Sequence, residues 1–228
     1  MRAVAFKVCC TRSVEEAEMA RAAGAAAVGL VSAMPSGPGV IDDATVATVT
    51  EAMAGRIDTF LLTAETTASA VIDQIERLGP SVVQLVAAAP SAEIEVMRAA
   101  HPGLRYVAVI HVVGPESVDE AVEAAKTADE LLLDSGRPDA AVPELGGTGR
   151  VHDWKWSAEI VRRVECPVWL AGGLHPKNVA EAIAAVEPHG VDLCSGLRPD
   201  RETYALDPDL LEEFAAEVRR ASEALTNG

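Results

Sequence analysis

The sequence predicts a single (β/α)8 barrel, and three observations carry that reading. Short apolar runs of strand length alternate with helix-length segments eight times along the 228 residues, the pattern of parallel β-α units. The runs are apolar throughout rather than alternating, so both faces of each strand must be covered, as in a closed parallel sheet wrapped in helices. The rival, a doubly wound open sheet, would place a GxGxxG turn after the first strand, where Lys7-Val8-Cys9-Cys10-Thr11-Arg12 stands instead. The length suits one barrel of roughly 250 residues. With neither a linker nor a low-complexity segment, residues 1–228 are read as one domain.

Ala3–Cys9 is the first expected strand. Ser13 caps the helix that follows, Glu16 three residues on completes a capping box, and Gly24 is its stop. Ala26–Val31 is the second strand, followed by the loop Met34–Gly39 and a helix from Asp43 to Ala54. Ile57–Thr63 leads to a helix ending at Gly79, and Val82–Val86 to the helix Ser91–Ala100. Tyr106–Val112 and the helix Ser117–Ala128 form the fifth unit. Leu131–Asp134 is the sixth strand, and a long loop carries the chain to a helix over Lys155–Val164. Pro167–Ala171 with Pro176–Val186, and Val191–Cys194 with the amphipathic Pro208–Leu225, complete the series.

Composition narrows the function. A hydrophobic content of 49% supplies a large core, and no run approaches the roughly 20 apolar residues that span a bilayer. The N-terminal MRAVAFKVCC is too short and too strand-like for a signal peptide. A formal charge of −16 disfavours nucleic acid and anionic membranes, whose phosphates it repels. Cys9, Cys10, Cys166 and Cys194 show no CxxC spacing. They are expected to be reduced thiols of a cytoplasmic protein, with Cys166 and Cys194 in the core.

In such a barrel the chemistry sits at the C-terminal strand ends. Those ends supply Cys9, the loop Met34–Gly39, Thr63, Val86, His111, Asp134, Gly172-Gly173 and Ser195-Gly196. The small residues closing the last two strands suit a phosphate bound by main-chain N–H groups, as does Gly146-Gly147-Thr148-Gly149 in the loop after strand six. Cys9 on strand one and Asp134 on strand six are the candidate acid/base pair. A free thiol titrates near 8.5, and Lys7, two residues earlier on the same face, is a candidate to lower it.

These residues resemble a known family. Lys7-Val8-Cys9, Asp134-Ser135-Gly136, Gly146-Gly147-Thr148-Gly149 with Asp153-Trp154, Leu170-Ala171-Gly172-Gly173-Leu174, Asn178-Val179, and Gly190-Val191-Asp192 before Ser195-Gly196 are together similar to phosphoribosylanthranilate isomerases over nearly the whole chain. The resemblance implies an Amadori rearrangement of an aminoaldose 5-phosphate in tryptophan biosynthesis, needing no metal or organic cofactor. Cys9 is then the general base and Asp134 the general acid. Gly146, Gly147, Gly172, Gly173, Ser195 and Gly196 hold the phosphate, and Lys7, Arg12, His111, Arg150 and Asp192 are further substrate contacts. The expected partner is a small phosphorylated sugar-amine, and the protein a monomer or homodimer.

Three positions depart from the family pattern. The loop after strand two usually carries an arginine after Ser-Pro, whereas Pro35-Ser36-Gly37-Pro38-Gly39-Val40-Ile41 has no basic residue. The fourth strand ends Gln84-Leu85-Val86-Ala87 where Gln-Leu-His-Gly is usual, and Cys10 replaces a glycine. Arg12, Arg137 or Arg150 is left to meet an aromatic carboxylate. Two alternatives therefore stand: a paralogous isomerase acting on another phosphoribosyl amine or sugar phosphate, and a non-catalytic barrel that binds a phosphorylated ligand.

Overall fold

The computed structural model describes residues 3–34, 39–136, 153–200 and 202–227. Eight parallel strands close on themselves in chain order: β1 (Ala5–Val8), β2 (Ala27–Val31), β3 (Asp58–Thr63), β4 (Val82–Leu85), β5 (Arg105–His111), β6 (Glu130–Asp134), β7 (Val168–Leu170) and β8 (Gly190–Leu193). The helices are α1 (Val14–Ala22), α2 (Asp43–Met53), α3 (Ala68–Leu78), α4 (Ser91–Ala100), α5 (Glu116–Ala124), α6 (Trp154–Arg163), α7 (Val179–Val186) and α8 (Pro208–Asn227). The strand alternation sorts the apolar residues into two sets. Val8, Leu30, Leu61, Leu131, Leu133 and Val191 meet the helices, while Ala27, Phe60, Leu62, Val107, Leu132 and Trp169 fill the interior.

Local chemistry sets the helix ends. Ser13 Oγ accepts from Glu16 N at 3.3 Å, and Gly79, at φ 61°, closes α3 in the left-handed region. The capping box is only half realised, because the Glu16 carboxylate accepts from Arg12 N and pairs with Arg198 instead of reaching back to Ser13. α7 starts at Val179 rather than Pro176, since Asn178 Oδ1 accepts from His175 N at 2.8 Å and turns residues 175–178 into a separate loop. α5 ends at Ala124 rather than Ala128: Lys126 N and Thr127 N reach back only three residues, and Arg98 Nη2 takes the Thr127 carbonyl at 2.9 Å.

The expectation of reduced, core cysteines fails at one pair. Cys10 and Cys194 are joined by a disulfide across 184 residues of sequence, and Cys194 is only half-buried. Barrel closure is the reason. It sets β1 beside β8, so two cysteines from opposite ends of the chain follow adjacent strands. Cys9 and Cys166 are free.

Candidate active site

β1 and β8 pair in register, Lys7 against Asp192, and both side chains point inward at the C-terminal half of the barrel. Lys7 Nζ is wholly buried, 3.0 Å from Asp192 Oδ1 and 5.1 Å from the Phe60 ring centre. Burial alone would neutralise this ammonium, but Asp192 and Cys9 outweigh it and raise its pKa above the ordinary lysine value, so Lys7 stays charged. The Asp192 carboxyl is raised by burial, with Lys7 opposing.

Cys9 follows on the same face. Its main chain continues the sheet, Cys9 N donating to Leu193 O at 2.8 Å. Its thiol lies over Gly29 of β2, where an added Cβ would come within 2.8 Å of the sulfur. The glycine is what leaves room for the thiol. Burial pushes Cys9 up to about 11, against the pull of Lys7. Asp134 ends β6 opposite His111 of β5, and Ser135 N donates to Asp134 Oδ1 at 2.7 Å. Burial raises its carboxyl to about 6, with Asp192 adding and Lys7 and the Ser135 amide opposing. Lys7 therefore links the cluster, its charge acting on Cys9, Asp192 and Asp134 alike.

The glycine turns border this cluster. Gly172 and Gly173 both have positive φ, 88° and 64°, and a Cβ on Gly172 would meet Ser135 Oγ at 2.8 Å. Ser195–Leu197 forms a 3-10 turn after β8, and a Cβ on Gly196 would lie 2.1 Å from Leu174 O. Only glycine lets the two turns approach so closely. Asn178 Nδ2 donates to Gly173 O at 3.0 Å and shapes the first turn. Among the described residues, the amides of Gly172, Gly173, Ser195 and Gly196 have no main-chain acceptor, the condition of an anion cradle.

Of the further residues read from the sequence, Lys7 and Asp192 join the buried cluster and His111 borders it through its ladder pairing with Asp134. Arg12 is exposed, and its Nη1 donates to Thr203 O at 2.6 Å. Gly146, Gly147, Arg137 and Arg150 lie outside the described residues. Sequence reasoning missed Arg198. This guanidinium is wholly buried behind the β8 turn, bidentate to Glu16 at 3.0 and 2.8 Å and bonded to Tyr204 O at 2.7 Å. Its charge reaches Cys9, and the partners lie 182 residues apart, so no local pattern announces the pair. No group of three or more His, Cys, Asp or Glu among the described residues is placed to hold a metal ion.

A closed parallel barrel with a buried thiol, two carboxylates and an ammonium beside main-chain amide turns at its C-terminal end is the arrangement of a barrel enzyme that handles phosphorylated substrates. The family model for N-(5′-phosphoribosyl)anthranilate isomerase matches residues 7–200, and the chain belongs to that family. The isomerase of Methanocella arvoryzae is 33% identical over 213 residues, covering 93% of this chain and 97% of that protein. That of Haloarcula marismortui is 32% identical over 218 residues, covering 95% and 97%. The solved structure of the Pyrococcus furiosus isomerase superposes with a TM-score of 0.78 at 27% identity, covering 95% of this chain and 99% of that one. No helix among the described residues is long and apolar enough to cross a membrane.

Proposed function

We propose that this chain catalyses the Amadori rearrangement of N-(5′-phosphoribosyl)anthranilate to its 1-amino-1-deoxyribulose 5-phosphate product, an isomerisation in tryptophan biosynthesis, with Cys9 as general base and Asp134 as general acid. The observation that carries the residue assignment is the single buried cluster of Cys9, Lys7, Asp192 and Asp134 beside the two glycine turns. The amides of Gly172, Gly173, Ser195 and Gly196 hold the phosphate. Asp134, raised to about 6, keeps a proton close to neutrality and donates it to the ribose ring oxygen. The ring opens to a protonated imine, which acidifies the C2 proton. Cys9 takes that proton as thiolate, helped by the positive charges of the imine and of Lys7. The enaminol becomes the ketone on protonation at C1 and loss of the O2 proton. Anthranilate nitrogen is the electron sink throughout, so no cofactor enters. The setting is cytoplasmic, and a site built from one chain serves a monomer or a homodimer equally.

Turnover of the substrate by purified protein tests the reading, with rescue of a tryptophan auxotroph beside it. Cys9→Ala and Asp134→Asn should each lower kcat by about 10²–10⁴ and abolish rescue. With an acid near 6 and a base near 11, kcat/KM should be flat between those values. It should fall below the lower one, where Cys9 loses thiolate, and above the upper one, where Asp134 loses its remaining proton. Either variant within tenfold of the wild-type kcat removes that residue from the mechanism.

A further inference from the structure

Among the described residues, three other than glycine have positive φ: Cys10 at 59°, Glu187 at 52° and Tyr204 at 53°. Two of them converge on Cys194, for Cys10 is bonded to its sulfur and Tyr204 Oη stands 3.1 Å from it. A left-handed backbone costs an L-residue with a side chain, and such strain persists where the surroundings hold it. Here the disulfide and the tyrosine contact do the holding.

Position matters as much as strain. Cys10 follows Cys9 directly, and Cys194 directly precedes the Ser195–Leu197 turn. Cys10 also packs against Gly39, where an added Cβ would come 2.5 Å from Cys10 Cβ. One covalent bond thus joins the end of the strand carrying the proposed base to the turn proposed to hold the phosphate, with Gly39 packed against Cys10. In the cytoplasm such bonds are rare, and those that form are usually transient or redox-sensing.

We propose that Cys10–Cys194 is a thiol–disulfide exchange site for a dithiol reductant, and that its redox state sets how tightly the mouth grips the substrate phosphate. For its ligand this rests on the isomerase reading; for its chemistry it rests on the bond alone. A thiolate of the reductant attacks the sulfur of Cys194, the less buried residue of the pair, forming a mixed disulfide and expelling Cys10 as thiolate, which takes a proton. The second thiol of the reductant then attacks its own sulfur in the mixed disulfide and releases Cys194. Two electrons reduce the pair while the reductant becomes a disulfide. The Tyr204 hydroxyl donates to the Cys194 sulfur and stabilises the charge that appears there. Cys9 does not compete, being buried as a thiol against Gly29.

The full-length protein, equilibrated in air with oxidised glutathione, is alkylated unfolded and digested without reduction. Mass spectrometry should find the Cys10–Cys194 peptide pair, which disappears after dithiothreitol. Titration with inorganic phosphate should show affinity falling roughly tenfold on reduction and returning on reoxidation, as expected for a cradle that loses preorganisation. Cys10→Gly, which accepts the left-handed backbone without strain, should bind phosphate at the reduced value in both conditions. Free Cys10 and Cys194 in the oxidised sample overturn the proposal, as does unchanged phosphate affinity once the bond is shown to be broken. Neither readout needs turnover. A protein that forms the bond and answers to reduction, yet does not isomerise, would refute the isomerase reading alone.

Discussion

The two ends of the barrel interior handle charge in opposite ways. At the N-terminal floor, Arg105 lies between Asp58 and Glu130, with Nη1 2.7 Å from Glu130 Oε1, and Trp169 Nε1 donates to Glu130 Oε2 at 2.6 Å. The Arg105 and Asp58 side chains are about two-fifths exposed, so water screens that ion pair and it is worth little by itself, whereas Glu130 is buried. At the mouth, one ammonium, Lys7, faces two carboxyl groups and a thiol, and none of the four is more than 8% exposed. At the floor one forked guanidinium pairs with both carboxylates, partly in contact with water. At the mouth burial raises the proton affinities of Asp134, Cys9 and Asp192, with Lys7 opposing and Asp192 adding to the rise at Asp134 and Cys9. Such burial-raised groups cluster at functional sites generally, which is why the mouth rather than the floor is the candidate site.

Three experiments break or sharpen that contrast. The largest effect is expected from matched glycine substitutions at the two ends. Gly196→Ala puts a Cβ 2.1 Å from Leu174 O and forces the β7 and β8 turns apart. Phosphate affinity should fall about 100-fold, or roughly 2.7 kcal/mol. Gly190→Ala at the floor puts a Cβ 2.5 Å from Trp169 Cζ3, which should cost stability while leaving phosphate affinity within twofold. Calorimetric titration separates the two, and equal phosphate binding in both variants would remove the β8 turn as the cradle.

Next in size is a gain in stability. A carboxyl raised in the folded state favours folding while protonated, and that contribution disappears as pH climbs from the ordinary value of 3.8 through about 6. Asp134→Asn removes the penalty, so at pH 8 it should be more stable than wild type by roughly 2–3 kcal/mol in urea melts. At pH 3 the difference should shrink toward zero. A variant less stable at pH 8 would mean that Asp134 is satisfied in place and not poised to donate. The smallest effect belongs to the floor. Glu130→Gln keeps an acceptor for Trp169 but loses the charge beside Arg105, for an expected cost of about 1–2 kcal/mol with kcat within twofold. A tenfold loss of kcat would show that the two ends are coupled.

Much of the fold was legible before any coordinates, because buried parallel strands must be short and apolar. The runs around Leu30, Leu61, Leu132 and Val191 fall within the observed strands, with edges shifted by one or two residues. α4 falls where the sequence placed it, and Ser13 caps α1. The start of α7 was misjudged because Asn178 spends its side chain on the preceding loop, a choice that depends on where His175 lies. The site divides in the same way. Strand-end position singled out Cys9 and Asp134, and the family resemblance attached roles to them. The reading of the cysteines as reduced failed at Cys10 and Cys194, because spacing says nothing about residues brought together by closing a ring.

Hydrophobic periodicity and strand-end chemistry, both written locally, were enough to specify an eight-unit parallel barrel and to choose its reactive end. Which charges face one another was decided only by closure. Setting β8 against β1 pairs Lys7 with Asp192, Arg198 with Glu16 and Cys10 with Cys194, contacts that span more than 180 residues. A chain encodes local pattern through its neighbours, whereas electrostatic pairing depends on distances that exist only once the last strand has docked beside the first.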